Sequence, residues 1–231
     1  MNAIMGLTHL AQEEDSIEQI QEYLHNIEVS TKFLLGLIND ILDMSKIEHG
    51  DLKLKEDVFP RDEFINSIET VIGPLMREKN INFVIQMPKN AECIRADRLR
   101  FSQIFFNLLS NAAKFTPTGG TVEFSSELIE KKENKLKLRF HVKDDGIGMS
   151  EEFKKHLYDP FSQERSKLGD SVKGTGIGLP IVKSLVDIMG GNIQVNSQLG
   201  KGTEFIVDLT VEIAEKDEEE EQNNTSVENL K

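Results

Sequence analysis

Apolar residues recur in steps of three and four between residues 16 and 48, the spacing of one face of an α-helix. The positions on this face are Ile17, Ile20, Leu24, Ile27, Thr31, Leu34, Ile38 and Ile41, and it is widened by Phe33, Leu37 and Met44. Such a seam is typical of helices that pack in bundles. A second helical pattern, over residues 1–11, is too short to cover it. Two interpretations follow: a helix packed on its own domain, or a two-chain four-helix bundle.

The pattern changes after Gly50, which suits a helix C-terminus, and a new domain is predicted to start near residue 58. We predict helices over residues 61–79, 97–115, 150–157 and 176–189. Strands are predicted over residues 81–87, in the runs TVEFSSELI and KLKLRFHVK on either side of the charged turn EKKENK, and in the closing runs NIQVNSQ and TEFIVDLTVE. This mixed order indicates an α/β sandwich with its helices on one face.

Charge and composition exclude some classes of function and indicate a cellular setting. The 231 residues carry a net charge of −13, which argues against nucleic acid as a main partner because phosphate binding needs a basic face. No run approaches the roughly 18 apolar residues of a membrane span. The first residues lack the basic flank of a signal peptide, and the single cysteine, Cys93, fits a reducing cytoplasmic setting. Residues 215–231 are acidic and polar, and are predicted to be a disordered tail or linker.

Three polar residues lie together in the helical pattern of residues 97–115. Asn107 and Asn111 are four apart, and Lys114 follows three later, so all share one face of an otherwise apolar helix. Amide oxygens and an ammonium group suit a hydrated Mg²⁺ ion and phosphate oxygens. An Asn pair alone is more often surface or capping chemistry.

Glycines accompany the other polar clusters. Asp144 precedes Gly146 and Gly148 at a predicted strand end, where a plain turn or a ligand-binding carboxylate would both fit. The run GTGIG (174–178) enters a predicted helix, whose N–H groups could face phosphates. It lacks the preceding strand of a dinucleotide-binding fingerprint. A further glycine turn, GKGTEF (200–205), precedes the last strand.

Taken together, these clusters resemble the kinase core of bacterial sensor histidine kinases, particularly those of hybrid two-component systems. NLLSNAAKFT is similar to the N box, DDGIGM to the G1 box, DPFSQ to the F box, GTGIGLPIV to the G2 box and GKGTEF to the G3 box. The resemblance covers residues 1 to about 212. It implies an α+β fold in which a partial helical-hairpin dimerisation segment is followed by an α/β-sandwich ATP-binding domain.

The resemblance also implies roles for single residues. Asp144 would read adenine, beside a solvated Asp145. Asn111 would be the direct Mg²⁺ ligand with Asn107 next to it, and Lys114 would contact phosphate. As catalytic residues it implies Asn107 and Lys114. The remaining implied nucleotide-binding positions are Phe115, Gly146, Gly148, Phe161, Gly174, Thr175, Gly176, Ile177, Gly178, Leu179 and Thr203. Phe161 would anchor a mobile lid at 164–173, and Thr203 equally fits a routine strand position.

One family element does not match. The phospho-accepting histidine, in a pattern similar to His-Glu-x-x-x-Pro, is expected a few residues before Met1, because His9, His25, His49, His141 and His156 all lack that context. The chain is therefore expected to bind ATP and Mg²⁺, to dimerise weakly and not to phosphorylate itself.

The resemblance implies partners and boundaries as well. In the parent protein they are a second copy of the chain and a response-regulator receiver domain, with membrane association through other regions. The implied divisions are 1–55 (hairpin without the acceptor histidine), 56–212 (catalytic domain) and 213–231 (acidic linker). Two alternatives stay open: an ATPase of another class with the same nucleotide fold, and a non-catalytic dimerisation or nucleotide-sensing module.

Overall fold

The computed structural model describes residues 2–87, 93–164 and 175–214, and the chain divides into two compact units, Met1–Leu52 and Lys53–Lys231. The first unit is a helical hairpin of α1 (Asn2–Glu13) and α2 (Ile17–Glu48). Ser16 begins α2 by accepting a hydrogen bond from the Gln19 backbone N–H. Gly50, with a φ of +70°, directly follows His49, the C-cap residue of α2. The predicted long helix is confirmed.

Apolar side chains of α2 remain open to solvent within one chain. Leu24, Ile38 and Ile41 are 55%, 45% and 51% exposed, and none of the first unit's described side chains is buried. Two helices in contact along one side leave the rest of a broad apolar stripe uncovered. Among the described helices, none is both long and apolar enough to cross a membrane.

The second unit has the predicted mixed order. Its elements are β1 (Asp57–Pro60), α3 (Arg61–Glu78), β2 (Asn82–Gln86), β3 (Cys93–Ala96), α4 (Arg98–Phe115), β4 (Thr121–Lys132), β5 (Lys135–Asp144), α5 (Glu151–Lys154), α6 (Gly178–Ile188), β6 (Asn192–Ser197) and β7 (Thr203–Ala214). The predicted helices and strands are present, although α5 is shorter than expected. Strands β1 and β3 were not predicted, because four residues are too few to show an alternating pattern.

The strands form one sheet in the order β1-β3-β7-β5-β4-β2, with β6 also paired to β7. Only β2 and β4 pair in parallel among the described strands. Alternate residues of β5 (Leu136, Leu138, Phe140, Val142) are buried. On the opposite face, Arg139 donates two hydrogen bonds to Asp208, at 2.7 and 2.9 Å. The sheet therefore has one apolar and one charged face, as an α/β sandwich requires.

Helix α4 packs on the apolar face through aromatic contacts. The ring centroids of Phe105 and Phe140 are 4.6 Å apart, and those of Phe64 and Phe101 are 4.9 Å apart. The start of α4 is fixed by the buried Asp97, whose carboxylate accepts from the backbone N–H groups of Arg100 (3.0 Å) and Lys55 (2.8 Å). The polar residues at the far end of α4 are thus held on a rigid element.

Candidate functional site

Asp144 is the last residue of β5, and its carboxylate is oriented by the backbone. Oδ1 accepts from the N–H of Gly146 at 2.9 Å and from that of Thr203 at 3.3 Å. Among the described residues, no donor pairs with Oδ2. Burial raises the pKa of Asp144 to about 6, the charge of Asp145 adds to the rise, and the two N–H donors partly oppose it. The result is a carboxylate with one oxygen fixed and one left for a ligand.

Asp145 is exposed to solvent, as the sequence indicated, and its carboxylate also makes a structural contact. Its Oδ1 accepts a 2.8 Å hydrogen bond from the backbone N–H of Thr121, and its own N–H donates to the Thr121 carbonyl at 3.2 Å. The side chain therefore fixes the start of β4, and Asp144 is the more buried of the two carboxylates.

Glycines let the surrounding backbone approach closely. A Cβ on Gly146 would lie 2.6 Å from the carbonyl oxygen of Phe115, and one on Gly148 would lie 2.0 Å from that of Gln198. A Cβ on Gly202, in the predicted GKGTEF turn, would lie 2.0 Å from the carbonyl oxygen of Asp144. These distances leave no room for a side chain, so three chain segments converge beside Asp144.

Ser197 joins two of these segments and was missed by the sequence analysis. Its Oγ accepts from the Met149 N–H at 2.9 Å, donates to the Gly202 carbonyl at 2.9 Å and lies 2.9 Å from the Thr203 hydroxyl. Thr203 itself is buried, with its N–H on Asp144. A serine at a strand end gives no pattern in the sequence, so only the fold reveals this contact.

The last turns of α4 present the predicted polar face. Asn107, Asn111, Lys114 and Phe115 are all partly exposed, between buried neighbours such as Leu108 and Ala112. The Asn107 Nδ2 donates to the Gln103 carbonyl at 3.0 Å, which leaves Oδ1 directed away as an acceptor. The Lys114 ammonium lies 5.0 Å from the centre of the Phe115 ring, and burial lowers the pKa of Lys114.

The start of α6 meets the same face of α4. A Cβ on Gly178 would lie 2.9 Å from Asn107 Oδ1, so this glycine permits the contact. Ile177 is buried, Leu179 is half-buried, and the Ile177 N–H donates to the Thr175 hydroxyl at 3.2 Å. The helix N-terminus thus adjoins the candidate metal and phosphate residues.

Phe161 lies beside the same loop in a left-handed conformation. Its φ is +64°, its side chain is 68% exposed, and its N–H donates to the Gly176 carbonyl at 2.9 Å. Gly176 has a φ of +71°, and a Cβ on it would lie 2.7 Å from the Phe161 backbone. Gly174 and residues 165–173 of the predicted lid lie outside the described residues.

These contacts connect the candidate residues into one region. Asp144, Gly146, Gly148 and Thr203 form its first part, and the Ile147 N–H links it to α4 through the Phe115 carbonyl at 3.2 Å. Along α4 follow Lys114, Asn111 and Asn107, and then Gly178, Gly176 and Phe161. The region combines a half-buried carboxylate, amide oxygens, an ammonium group and a helix N-terminus.

Two protein families match the chain. Residues 96–213 match the family described as histidine kinase-, DNA gyrase B-, and HSP90-like ATPase, and residues 1–50 match the His Kinase A (phospho-acceptor) domain. One match lies in each of the two units.

Two curated relatives and one solved structure are also similar to the chain. The chain is 36% identical over its full length to the autoinducer 2 sensor kinase/phosphatase LuxQ of Vibrio vulnificus and 38% identical over 95% of its length to the sensor histidine kinase GacS of Pseudomonas protegens. It spans only 27% and 24% of these relatives. Full-length ShkA in complex with AMPPNP matches 93% of the chain, with a TM-score of 0.70 and 26% identity, over 44% of ShkA.

Proposed function

The chain is a member of the sensor histidine kinase family, and on that premise we propose that residues 56–212 are a catalytic domain that binds Mg²⁺-ATP. In the intact protein this domain would transfer the γ-phosphoryl group to a histidine, from which it would pass to an aspartate of a response regulator. Residues 1–55 would be the dimerisation and phosphotransfer hairpin, a division supported by the His Kinase A match to residues 1–50. The linker would begin at residue 215 rather than 213, because β7 extends to Ala214 and pairs there with β3.

The observation that carries the proposal is the orientation of Asp144. Its Oδ1 is occupied by two backbone N–H donors, and Oδ2 is left to accept from a ligand. An adenine N6 amine is a donor of the right kind, and the glycines at 146, 148 and 202 let a flat ring approach the backbone. The Thr203 hydroxyl, next to Ser197, would lie near the same ring.

The phosphates and metal would lie toward α6. Amide oxygens are hard ligands suited to Mg²⁺, so Asn111, with Asn107 beside it, fits a hydrated Mg²⁺ ion. Lys114 would contact phosphate, and bound Mg²⁺ would neutralise developing charge. At the N-terminus of α6 the Ile177 N–H donates to the Thr175 hydroxyl and Pro180 has no N–H, so among the described residues the N–H groups of Gly178 and Leu179 are the ones open to an anion.

Water activation is less well supported than transfer to a histidine. An ATP hydrolase with this fold needs a carboxylate on α4 near the phosphates. The corresponding position carries Asn107, whose amide contacts Gly178 rather than acting as a base.

The proposed activity is tested by phosphoryl transfer to a separate substrate. With labelled ATP and Mg²⁺, the chain should label a separate bundle that carries the family's His-Glu-x-x-x-Pro motif, with acid-labile phosphate. It should not label itself. An Asn111→Ala variant, which removes the proposed metal ligand, should leave the bundle unlabelled.

Two results would contradict this scheme. Label on His9 or His25 would place the acceptor inside the chain. An unlabelled bundle in spite of ATP binding would contradict the proposed transfer and favour a nucleotide sensor.

The exposed stripe on α2 predicts concentration-dependent self-association. We expect the chain to dimerise weakly, because a second copy would cover Leu24, Ile38 and Ile41 but the short α1 supplies little surface. Sedimentation at several concentrations measures this, with Leu24→Glu as the comparison. Since Leu24 is already exposed, the variant should stay folded and become monomeric. A tight dimer at nanomolar concentration would contradict the expectation.

A further inference from the structure

Lys79 makes three hydrogen bonds to the end of a distant helix. Its Nζ donates to the carbonyl oxygens of Ala113 (2.8 Å), Lys114 (2.9 Å) and Thr116 (2.8 Å). An ammonium group has three donors, and here all three meet backbone acceptors. A positive charge at a helix C-terminus is also stabilised by the helix dipole. Such a contact is a built feature rather than a surface lysine that happens to be near.

The end of α3 fixes the position of this lysine. Lys79 is the C-terminal cap of α3, Asn80 follows with a φ of +52°, and the buried Ile81 donates its N–H to the Met76 carbonyl at 2.8 Å. The backbone also holds the loop after α4, since the Gly119 N–H donates to the Lys79 carbonyl at 3.3 Å. The side chain and the backbone of Lys79 therefore both hold the end of α4 and the loop that follows it.

Lys79 satisfies two of the four carbonyl groups that α4 leaves open. The last four carbonyls of a helix have no partner within it. In α4, the Ala112 carbonyl accepts from the Thr116 N–H, and the Phe115 carbonyl accepts from the Ile147 N–H. The carbonyls of Ala113 and Lys114, which lie between them, accept from Lys79. The same turn thus contacts the Asp144 loop through one carbonyl and Lys79 through two.

We propose that Lys79 is a positioning residue for nucleotide binding: its ammonium group fixes the last turn of α4, and with it Asn111, Lys114 and Phe115, against the loop that begins at Asp144. The inference rests on the proposed function, since it assigns those three residues to the phosphate and metal end of the ligand. Among the described residues, the Lys79 ammonium group donates only to backbone oxygens of the protein.

A lysine-to-methionine variant tests this role. Lys79→Met keeps an unbranched side chain of nearly the same length and removes all three hydrogen bonds. We expect a folded protein with a lower melting temperature, and a loss of ADP affinity in Mg²⁺ of about tenfold, as for one misplaced charge-assisted contact. Without Mg²⁺ the loss should be smaller, because Asn111 would no longer place the metal. Calorimetric titrations with ADP, with and without Mg²⁺, measure both at a temperature where each variant is folded.

The matched control is Lys183→Met, which removes an exposed lysine paired with Asp187 on α6 and should bind ADP as the wild type does. A purely structural role for Lys79 would lower the melting temperature and leave the affinity of the folded protein and its Mg²⁺ dependence unchanged. That result would overturn the inference.

A second variant and the wild-type titration cover the cases in which Lys79→Met does not fold or ADP does not bind. If Lys79→Met does not fold, Lys79→Gln replaces it, because a shorter amide with two N–H donors cannot reach all three carbonyls; wild-type affinity in that variant would also overturn the inference. If the wild-type chain itself does not bind ADP, the proposed function fails, which is a different result from loss of the Lys79 effect alone.

Discussion

Replacing Gly202 with alanine should lower the free energy of unfolding of the second unit by more than about 3 kcal/mol and abolish nucleotide binding. Gly202 has a φ of +87°, and a Cβ there would lie 2.0 Å from the Asp144 carbonyl oxygen and 2.8 Å from the Cα of Asp145. Both contacts are with backbone, which cannot rotate away as a side chain can. To relieve these contacts, the turn before β7 would have to move away from β5. That movement would break the hydrogen bond from the Thr203 N–H to Asp144.

Gly200→Ala is the matched control for this variant. Gly200 lies in the same loop with a φ of +78°, but no atom lies within 4 Å of a would-be Cβ. Its substitution should therefore cost only the conformational penalty, about 1–2 kcal/mol. Urea denaturation measures both variants, and titration with ADP measures their binding. Equal destabilisation by the two variants would show that the close approach at Gly202 is unimportant.

The Asp144→Asn variant is expected to be more stable than the wild type at pH 7, by about 1–2 kcal/mol after allowance for solvent screening. Burial raises the pKa of Asp144 from 3.8 to about 6, so the folded protein at pH 7 holds an unfavourable half-buried charge. Asparagine removes that charge, and its side-chain oxygen can still accept from the Gly146 and Thr203 N–H groups. Stability lost to a charge that binding needs is common at functional sites.

The dependence of this gain on pH has a definite direction. The folded state binds the Asp144 proton more tightly than the unfolded state, so wild-type stability relative to the variant falls as the pH rises between about 4 and 6. The advantage of Asp144→Asn should thus be absent below about pH 4 and complete above about pH 6. Thermal melts across this range measure it. An advantage that does not change with pH would show that the charge of Asp144 is not its cause.

The strongly periodic elements of the fold could be predicted from the sequence. Helix α4 shows both its apolar face and the polar positions Asn107, Asn111 and Lys114, because the helical period places them on defined sides. Strands β4 and β5 alternate over many residues on either side of a charged turn. Strands β1 and β3 have four residues each, and their pairing with each other and with β7 is a tertiary property.

The candidate site was predicted from motifs, and the contacts that orient it were not. Asp144 could be singled out because glycines follow it, but its distinction from Asp145 depends on hydrogen bonds to Thr121 and Thr203, far away in sequence. Ser197 and Lys79 have no local pattern at all. Their partners lie 5 to 48 residues away for Ser197 and 34 to 37 away for Lys79, so only the folded chain brings them together.

The central claim, that Asp144 accepts a hydrogen bond from adenine, is tested most directly by calorimetric titration of Mg²⁺-ADP into the wild type, Asp144→Asn and Asp145→Asn. Because the Gly146 and Thr203 N–H groups hold the side-chain oxygen at position 144, asparagine would turn its NH₂ group toward the adenine amine, donor against donor. Loss of that charge-assisted hydrogen bond should weaken binding by about one to two decades. Asp145→Asn keeps an oxygen for the Thr121 N–H and should bind as the wild type does. Wild-type affinity in Asp144→Asn would contradict the account.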